Sequence, residues 1–195
     1  MIKLKNYLVT CTSVAAFACA PVLSTQADNN SIFAYNNISS ANQKDILQSD
    51  ETFLEDLSHR SFQYFYQNAD PKTGLVLDRA YFNGKAHEPG KFDYNLASSA
   101  STGFGLTSLC IGAERKWLTV AEARERVRTT LKFLWEKAPQ EHGWFLHFMD
   151  KETGERKWES EFSSIDTALL LGGVLTAKQY FRDDQEIYDL ASKIY

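Results

Sequence analysis

The stretch Trp158-Glu159-Ser160-Glu161-Phe162-Ser163-Ser164-Ile165-Asp166 places three carboxylates just ahead of the apolar run Ala168 to Leu171. An ionised carboxylate beside a segment bound for the core is costly unless it is paired or hydrogen-bonded. Such groups either start a helix or line a site. Ser163 followed three residues later by Asp166 has the shape of a capping box, with Asp in place of the usual Glu. Asp166 therefore has a purely structural use. Glu161 lies before the helix mouth and is not needed to cap it. Trp144, Phe148 and Trp158 are close by in sequence and can form an aromatic wall. A carboxyl group against aromatic rings has its pKa raised by desolvation, which suits a general acid. Aromatic faces also stack on sugar rings, and glycoside hydrolysis uses two carboxyl groups across the scissile bond. This reading makes Glu161 the acid. The second carboxylate, which activates water, is Asp166 or a group outside this chain. The plainer alternative is that the carboxylates only start a buried helix.

Other chemistries find little support. The four histidines are scattered without metal-ligand spacing, so no metal or cofactor is expected. His147, a lone histidine, is either structural or a holder of sugar hydroxyls. Cys110 sits in Leu106-Thr-Ser-Leu-Cys-Ile and reads as a buried, inert thiol. A net charge of −4 and the lack of a basic stripe argue against nucleic acid or an anionic membrane surface as partner.

The elements that must position these residues follow from punctuation and periodicity. Residues 1–27 read as a signal peptide: Lys3 and Lys5, then a mostly apolar stretch, then Thr25-Gln26-Ala27 with cleavage after Ala27. Export to the periplasm or medium is expected. Lipidation at Cys19 is the alternative, and the bulky Phe17 before it fits that poorly. Residues 28–48, rich in Asn, Ser and Asp, read as a mobile linker. Over residues 49–195 the spacing predicts helices at about 50–68, 97–116, 120–137, 163–181 and from 184 onward. Phe53, Leu54, Leu57, Phe62, Phe65 and Tyr66 mark the first. Small residues from Ala97 to Gly105 give the second a face that admits a close helix or a ligand. Thr119 with Glu122 caps the third. The 163–181 helix is apolar nearly all round and is expected to be an inner, buried one. Gly143 to Asp150 with a Thr153-Gly154 turn predicts a short hairpin. The pattern is all-α, a partial α/α toroid, with a four-helix bundle as the competing arrangement. The helical pattern is still running at Tyr195, so the chain is expected to be the N-terminal part of a larger domain.

Several stretches together resemble the glycoamylase-like family, which includes bacterial endo-β-1,2-glucanases and the related domain of cyclic β-1,2-glucan synthases. They are Asp70-Pro-Lys-Thr-Gly-Leu-Val-Leu-Asp-Arg, Ala100-Ser-Thr-Gly-Phe-Gly-Leu-Thr-Ser-Leu-Cys-Ile, Thr129-Thr-Leu-Lys-Phe-Leu-Trp, Gly143-Trp-Phe-Leu-His-Phe-Met-Asp and Ser160-Glu-Phe-Ser-Ser-Ile-Asp-Thr-Ala-Leu-Leu-Leu. The resemblance implies an (α/α)6 barrel with its site in the central cleft and twelve helices, of which this chain supplies about five. It implies that Glu161 and Asp166 match carboxylates of the site and that Asp78 with Arg79 matches a loop pair near the cleft. It further implies an oligo- or polysaccharide substrate, a β-glucan of β-1,2 linkage. Half a toroid would expose an inner face, so self-association is expected, with little activity from the chain alone. The alternative function is an inactive fragment or a carbohydrate-binding module.

Overall fold

The computed structural model describes residues 40–195 other than 82–84 and 86, with side chains from residue 49 onward. Its elements in chain order are α1 (Ser40–Asn68), β1 (Leu96–Ser98), α2 (Ser99–Glu114), α3 (Val120–Glu136), β2 (Gln140–Glu141), β3 (Trp144–Phe145), β4 (Phe148–Asp150), α4 (Ser164–Tyr180) and α5 (Gln185–Ile194). The mostly helical class and the five helices agree with the sequence. The 1–27 leader and most of the 28–48 segment lie outside the described residues. The helix starts at Ser40, inside the stretch expected to be a linker. Ala41, Gln43, Lys44, Leu47 and Gln48 are good helix formers, and they outweigh the Asn- and Ser-rich composition before them.

Side-chain caps set the helix starts. Thr119 Oγ1 accepts from Glu122 N at 3.1 Å. Ser163 Oγ accepts from Asp166 N at 3.2 Å, and Asp184 Oδ1 accepts from Ile187 N at 3.2 Å. Each satisfies an amide that has no partner within the helix. Ala97 and Ser98, expected as the first helical residues, instead end a strand. Ser98 caps α2, with its Oγ accepting from Ser101 N at 3.1 Å. The sheets are two antiparallel pairs, β1 with β4 and β2 with β3. The expected short hairpin is present: a bridge joins Met149 to Arg156 across the Thr153-Gly154 turn, flanked by Asp150 N donating to Glu155 O and Lys157 N donating to Phe148 O. The main partner of β4 is β1, in the register Leu96 with Asp150 and Ser98 with Phe148.

The core gathers Leu75, Leu106, Leu131, Leu134, Phe145, Leu146, Met149, Leu170, Phe181 and Ile187. Each fully buried side chain of this kind contributes roughly 1.5–3 kcal/mol. The small-residue face of α2 receives α4. A Cβ on Gly173 would meet Gly103 O at 2.0 Å, and one on Gly103 would meet Leu169 O at 2.4 Å. The two backbones touch, so this face is taken by a helix and not by a ligand. Gly74 has φ +73°, and a Cβ there would overlap Thr130. That contact holds the Asp70–Gly74 turn against α3.

Two burial expectations are corrected. Phe53, Leu54 and Leu57 are exposed: the 29-residue α1 meets α2 through its last turns, where Phe62 reaches Gly112. The 163–181 helix is buried on only one side. Asp166, Thr167, Leu170, Gly173, Val174 and Ala177 face the core, while Ile165, Leu169 and Leu175 form an exposed apolar stripe. Periodicity reports that a helix is apolar all round, but not whether both sides find a neighbour.

Candidate active site

The site forms where the chain from Phe145 to Phe148 lies against residues 160–163 and the first turn of α4. Backbone bonds fix this meeting. His147 N donates to Glu161 O at 2.9 Å, Ser163 N donates to Phe145 O at 2.9 Å, and Ser99 N donates to His147 O at 3.2 Å. Phe145 N donates to Thr167 Oγ1 at 2.9 Å. Ser160 Oγ donates to Phe148 O at 3.0 Å. The burial of Phe145 and Leu146 anchors this segment in the core, leaving His147 between the two proposed carboxylates.

His147 Nδ1 is 3.0 Å from Glu161 Oε1, and His147 Nε2 is 3.7 Å from Asp166 Oδ1. The Glu161 side chain is 66% exposed and that of Asp166 only 12%. Ser163 Oγ lies 2.5 Å from Asp166 Oδ2, so the capping partner also holds one oxygen of the buried carboxylate. The other oxygen is turned toward His147. Both sequence readings of Asp166 therefore have a physical basis: it helps start α4 and it borders the site.

The electrostatics of Glu161 differ from expectation. Its own backbone N–H holds the carboxyl below the usual range. Desolvation opposes this, and the His147 hydrogen bond and the charges of His147 and Arg156 add to the lowering. The expected rise from aromatic burial does not occur, because Glu161 projects into solvent beside the His147 imidazole. Burial, by contrast, pushes the Cys110 thiol up to about 12, in line with an inert cysteine.

The aromatic groups are partly assembled. The His147 ring stacks on Phe148 with centroids 3.6 Å apart, and Phe148 meets Trp158 edge-on at 5.0 Å. The guanidinium carbon of Arg79 is 6.0 Å from the Phe148 centroid. Arg79 is held by Asp78, with Nη2 and Nε at 2.6 and 2.8 Å from the same Asp78 oxygen. The expected wall loses one member: among the described residues no ring contact joins Trp144 to Phe148 or Trp158. Side chains alternate along β3, so with Phe145 buried Trp144 is turned outward.

Two groups were not legible as site residues. Phe92 stacks on Trp158 at 4.2 Å, and Trp158 Nε1 donates to Phe92 O at 3.1 Å. A lone aromatic in the polar loop Gly90-Lys91-Phe92-Asp93 was the available signal. Arg156 Nε donates to Ser160 O at 2.6 Å and braces the turn that presents Glu161. Trp158 itself has φ +55°, an uncommon conformation for a bulky residue.

Linear spacing showed no metal set, yet His147, Glu161 and Asp166 offer ligand atoms all within 4.8 Å of one another. The two carboxylates face opposite nitrogens of the ring. The arrangement is better described as a carboxylate–imidazole–carboxylate bridge.

The described residues are mostly helical, and the solved structures they resemble are helical-barrel glycoside hydrolases that match part of the chain. The chain's homologues are glucoamylase-like and endo-β-1,2-glucanase proteins, matched over 71–74% of its length. No protein-family model matches the chain. The exo β-1,2-glucooligosaccharide sophorohydrolase (non-reducing end) of Parabacteroides distasonis is 29% identical over 143 residues, which are 71% of this chain and 18% of that protein. The endo-β-1,2-glucanase of Chitinophaga pinensis, solved with sophorotriose and glucose, superposes with a TM-score of 0.63 at 29% identity. It covers 74% of this chain and 35% of that chain. A β-1,2-glucanase of Parabacteroides distasonis gives 0.61 at 27%, covering 74% of this chain and 20% of that one. The chain thus spans about a third or less of each relative.

Proposed function

We propose that this chain is part of a glycoside hydrolase acting on a β-glucan of β-1,2 linkage. The observation that carries the reading is the placement of Glu161 and Asp166 on either side of His147, next to the Phe148–Trp158 aromatic pair. Relatives that hydrolyse β-1,2-glucans support it. Glu161 donates the proton to the leaving oxygen. Asp166, held by Ser163, or a carboxylate outside this chain activates water. Phe148 and Trp158 receive sugar ring faces, while Asp78, Arg79 and the outward-turned Trp144 contact hydroxyls or rings at the margin.

Glu161 rests ionised, so its acid role requires that a bound sugar displace water from it. Drying the carboxyl raises its pKa toward the value an acid needs. Incubation of this chain, extended with the rest of a barrel like that of its relatives, with β-1,2-glucan, followed by quantification of new reducing ends, tests the reading. Hydrolysis that disappears in Glu161→Gln is the expected result, and hydrolysis that persists there removes Glu161 from the mechanism.

A second reading, carbohydrate binding without catalysis, is favoured by one observation: the chain spans only 18–35% of the relatives named first. Binding of sophorotriose with no bond cleavage would select it. We further propose that residues 1–27 direct export, with cleavage after Ala27, which N-terminal sequencing of the exported form would read. The exposed Ile165–Leu169–Leu175 stripe supports self-association through α4. Sedimentation velocity across a concentration series would read it, and a monomer throughout would reject it.

A further inference from the structure

Both ring nitrogens of His147 face carboxylate oxygens: Nδ1 lies 3.0 Å from Glu161 and Nε2 lies 3.7 Å from Asp166. Ionised carboxylates only accept hydrogen bonds, and a neutral imidazole has a single N–H. The Nδ1 contact is a hydrogen bond, and the Nε2 contact is a longer, purely electrostatic approach that is favourable when the ring carries two protons. Within this bridge a proton can change owner without leaving the site. The ring has little freedom to escape the arrangement. The His147 backbone N–H donates to Glu161 O and its backbone carbonyl accepts from Ser99 N, and Phe148 covers one face of the ring at 3.6 Å. Asp166 is equally fixed, by Ser163 Oγ on its far oxygen.

We propose that His147 is a positioning residue that bridges Glu161 and Asp166 and supplies Glu161 with the proton it later donates. This inference rests on the glycoside-hydrolase reading and adds the source of the acid's proton. The transfer starts from the arrangement in which the Glu161 carboxylate accepts from a doubly protonated His147 ring. When a sugar ring excludes water, separated charges in the dried site become costly. The His147 Nδ1–H bond breaks and a Glu161 O–H bond forms. Imidazolium plus carboxylate becomes imidazole plus carboxylic acid, with atoms and total charge unchanged. The proton left on Nε2 faces Asp166 Oδ1 at 3.7 Å. The other charges facing the pair are Arg156, which acts on Glu161 together with that residue's own backbone N–H, and Arg79, which leans on Phe148. His147 both stacks on Phe148 and hydrogen-bonds the Glu161 carboxyl.

Carbon-13 NMR of the Glu161 side-chain carboxyl during a pH titration tests the bridge in the unaltered chain. The expected curve has its main step below the ordinary Glu range and a second, smaller inflection in the histidine range, where the neighbouring ring changes charge. In His147→Gln the second inflection disappears and the main step moves up. The unaltered protein decides the matter even where that variant does not fold: a single-step curve overturns the proposal. Sophorotriose is then added near neutral pH while the Trp158 indole signal is followed. If the indole moves and the Glu161 carbon shifts toward its acid value, proton supply is supported. If the indole moves and Glu161 keeps its carboxylate shift, proton supply is overturned. An unmoved indole counts against the glucan reading itself, and the inflection still decides the bridge.

Discussion

Ser163 Oγ lies 2.5 Å from Asp166 Oδ2 and 3.2 Å from Asp166 N. One hydroxyl therefore starts α4 and pins the buried carboxylate that borders the site. The two roles separate under mutation. Ser163→Ala removes the cap and is expected to cost about 1 kcal/mol of stability, read by urea unfolding. It also releases Asp166 Oδ2, so sugar hydrolysis is expected to fall in samples that remain folded. Full activity in a destabilised but folded Ser163→Ala would show that Asp166 needs no such hold.

The contact between α2 and α4 is a second point of sensitivity. Gly173→Ala would put a methyl group 2.0 Å from Gly103 O. Backbone cannot give way as a flexible side chain does, so the helices must part. Overpacking of this kind costs about 1–3 kcal/mol, and the melting temperature is expected to drop accordingly. Gly172→Ala, one residue away with nothing near its added methyl, is the control and should leave stability unchanged or slightly raised. Equal melting temperatures for the two variants would mean that the helices do not touch there.

Acid sensitivity should centre on Asp184. Burial pushes its carboxyl up, but hydrogen bonds from Arg128, Ile187 N and Arg124 outweigh this and hold it below the usual range. Arg128 Nη2 and Arg124 Nη1 lie 2.5 and 3.1 Å from Asp184 Oδ2. A depressed folded-state pKa gives stability that is fully present above the unfolded value, about 3.9 for Asp, and lost as pH falls through the lower folded value. Thermal unfolding from pH 7 to pH 2 should therefore show a decline setting in below about pH 4. That decline should be shallower in Asp184→Asn, whose stability is already lower at pH 7. Identical slopes would remove Asp184 as a source of acid sensitivity.

Much of the framework was legible because it rests on local signals. Thr119 with Glu122, Ser163 with Asp166, and the 3.6-residue spacing of Val127, Leu131 and Leu134 each act within a turn or two. What required the fold acts across long separations. Residues 96–98 became a strand because β4 pairs with them from about fifty residues away. Ile165, Leu169 and Leu175 look like core residues in sequence, and only the positions of neighbouring helices leave them exposed. At the site, Glu161 was readable as a candidate, but its ionisation was not. The sequence places aromatics near it; the fold places an imidazole against it, through the bridge between Leu146 and Phe162. Phe92 was invisible as a partner of Trp158 because 66 residues separate them.

The most direct test of the account is hydrolysis of β-1,2-glucan by this chain extended with the rest of a barrel like that of its relatives, with and without Glu161→Gln, assayed on the same preparations whose unfolding curves are measured. Glu161 is largely exposed, so the Gln variant should fold as the wild type does. General acid–base groups contribute ~10²–10⁴-fold to rate, and a loss of that order with an unchanged melting temperature is the predicted result. A folded Glu161→Gln that cleaves the glucan at the wild-type rate would contradict the account.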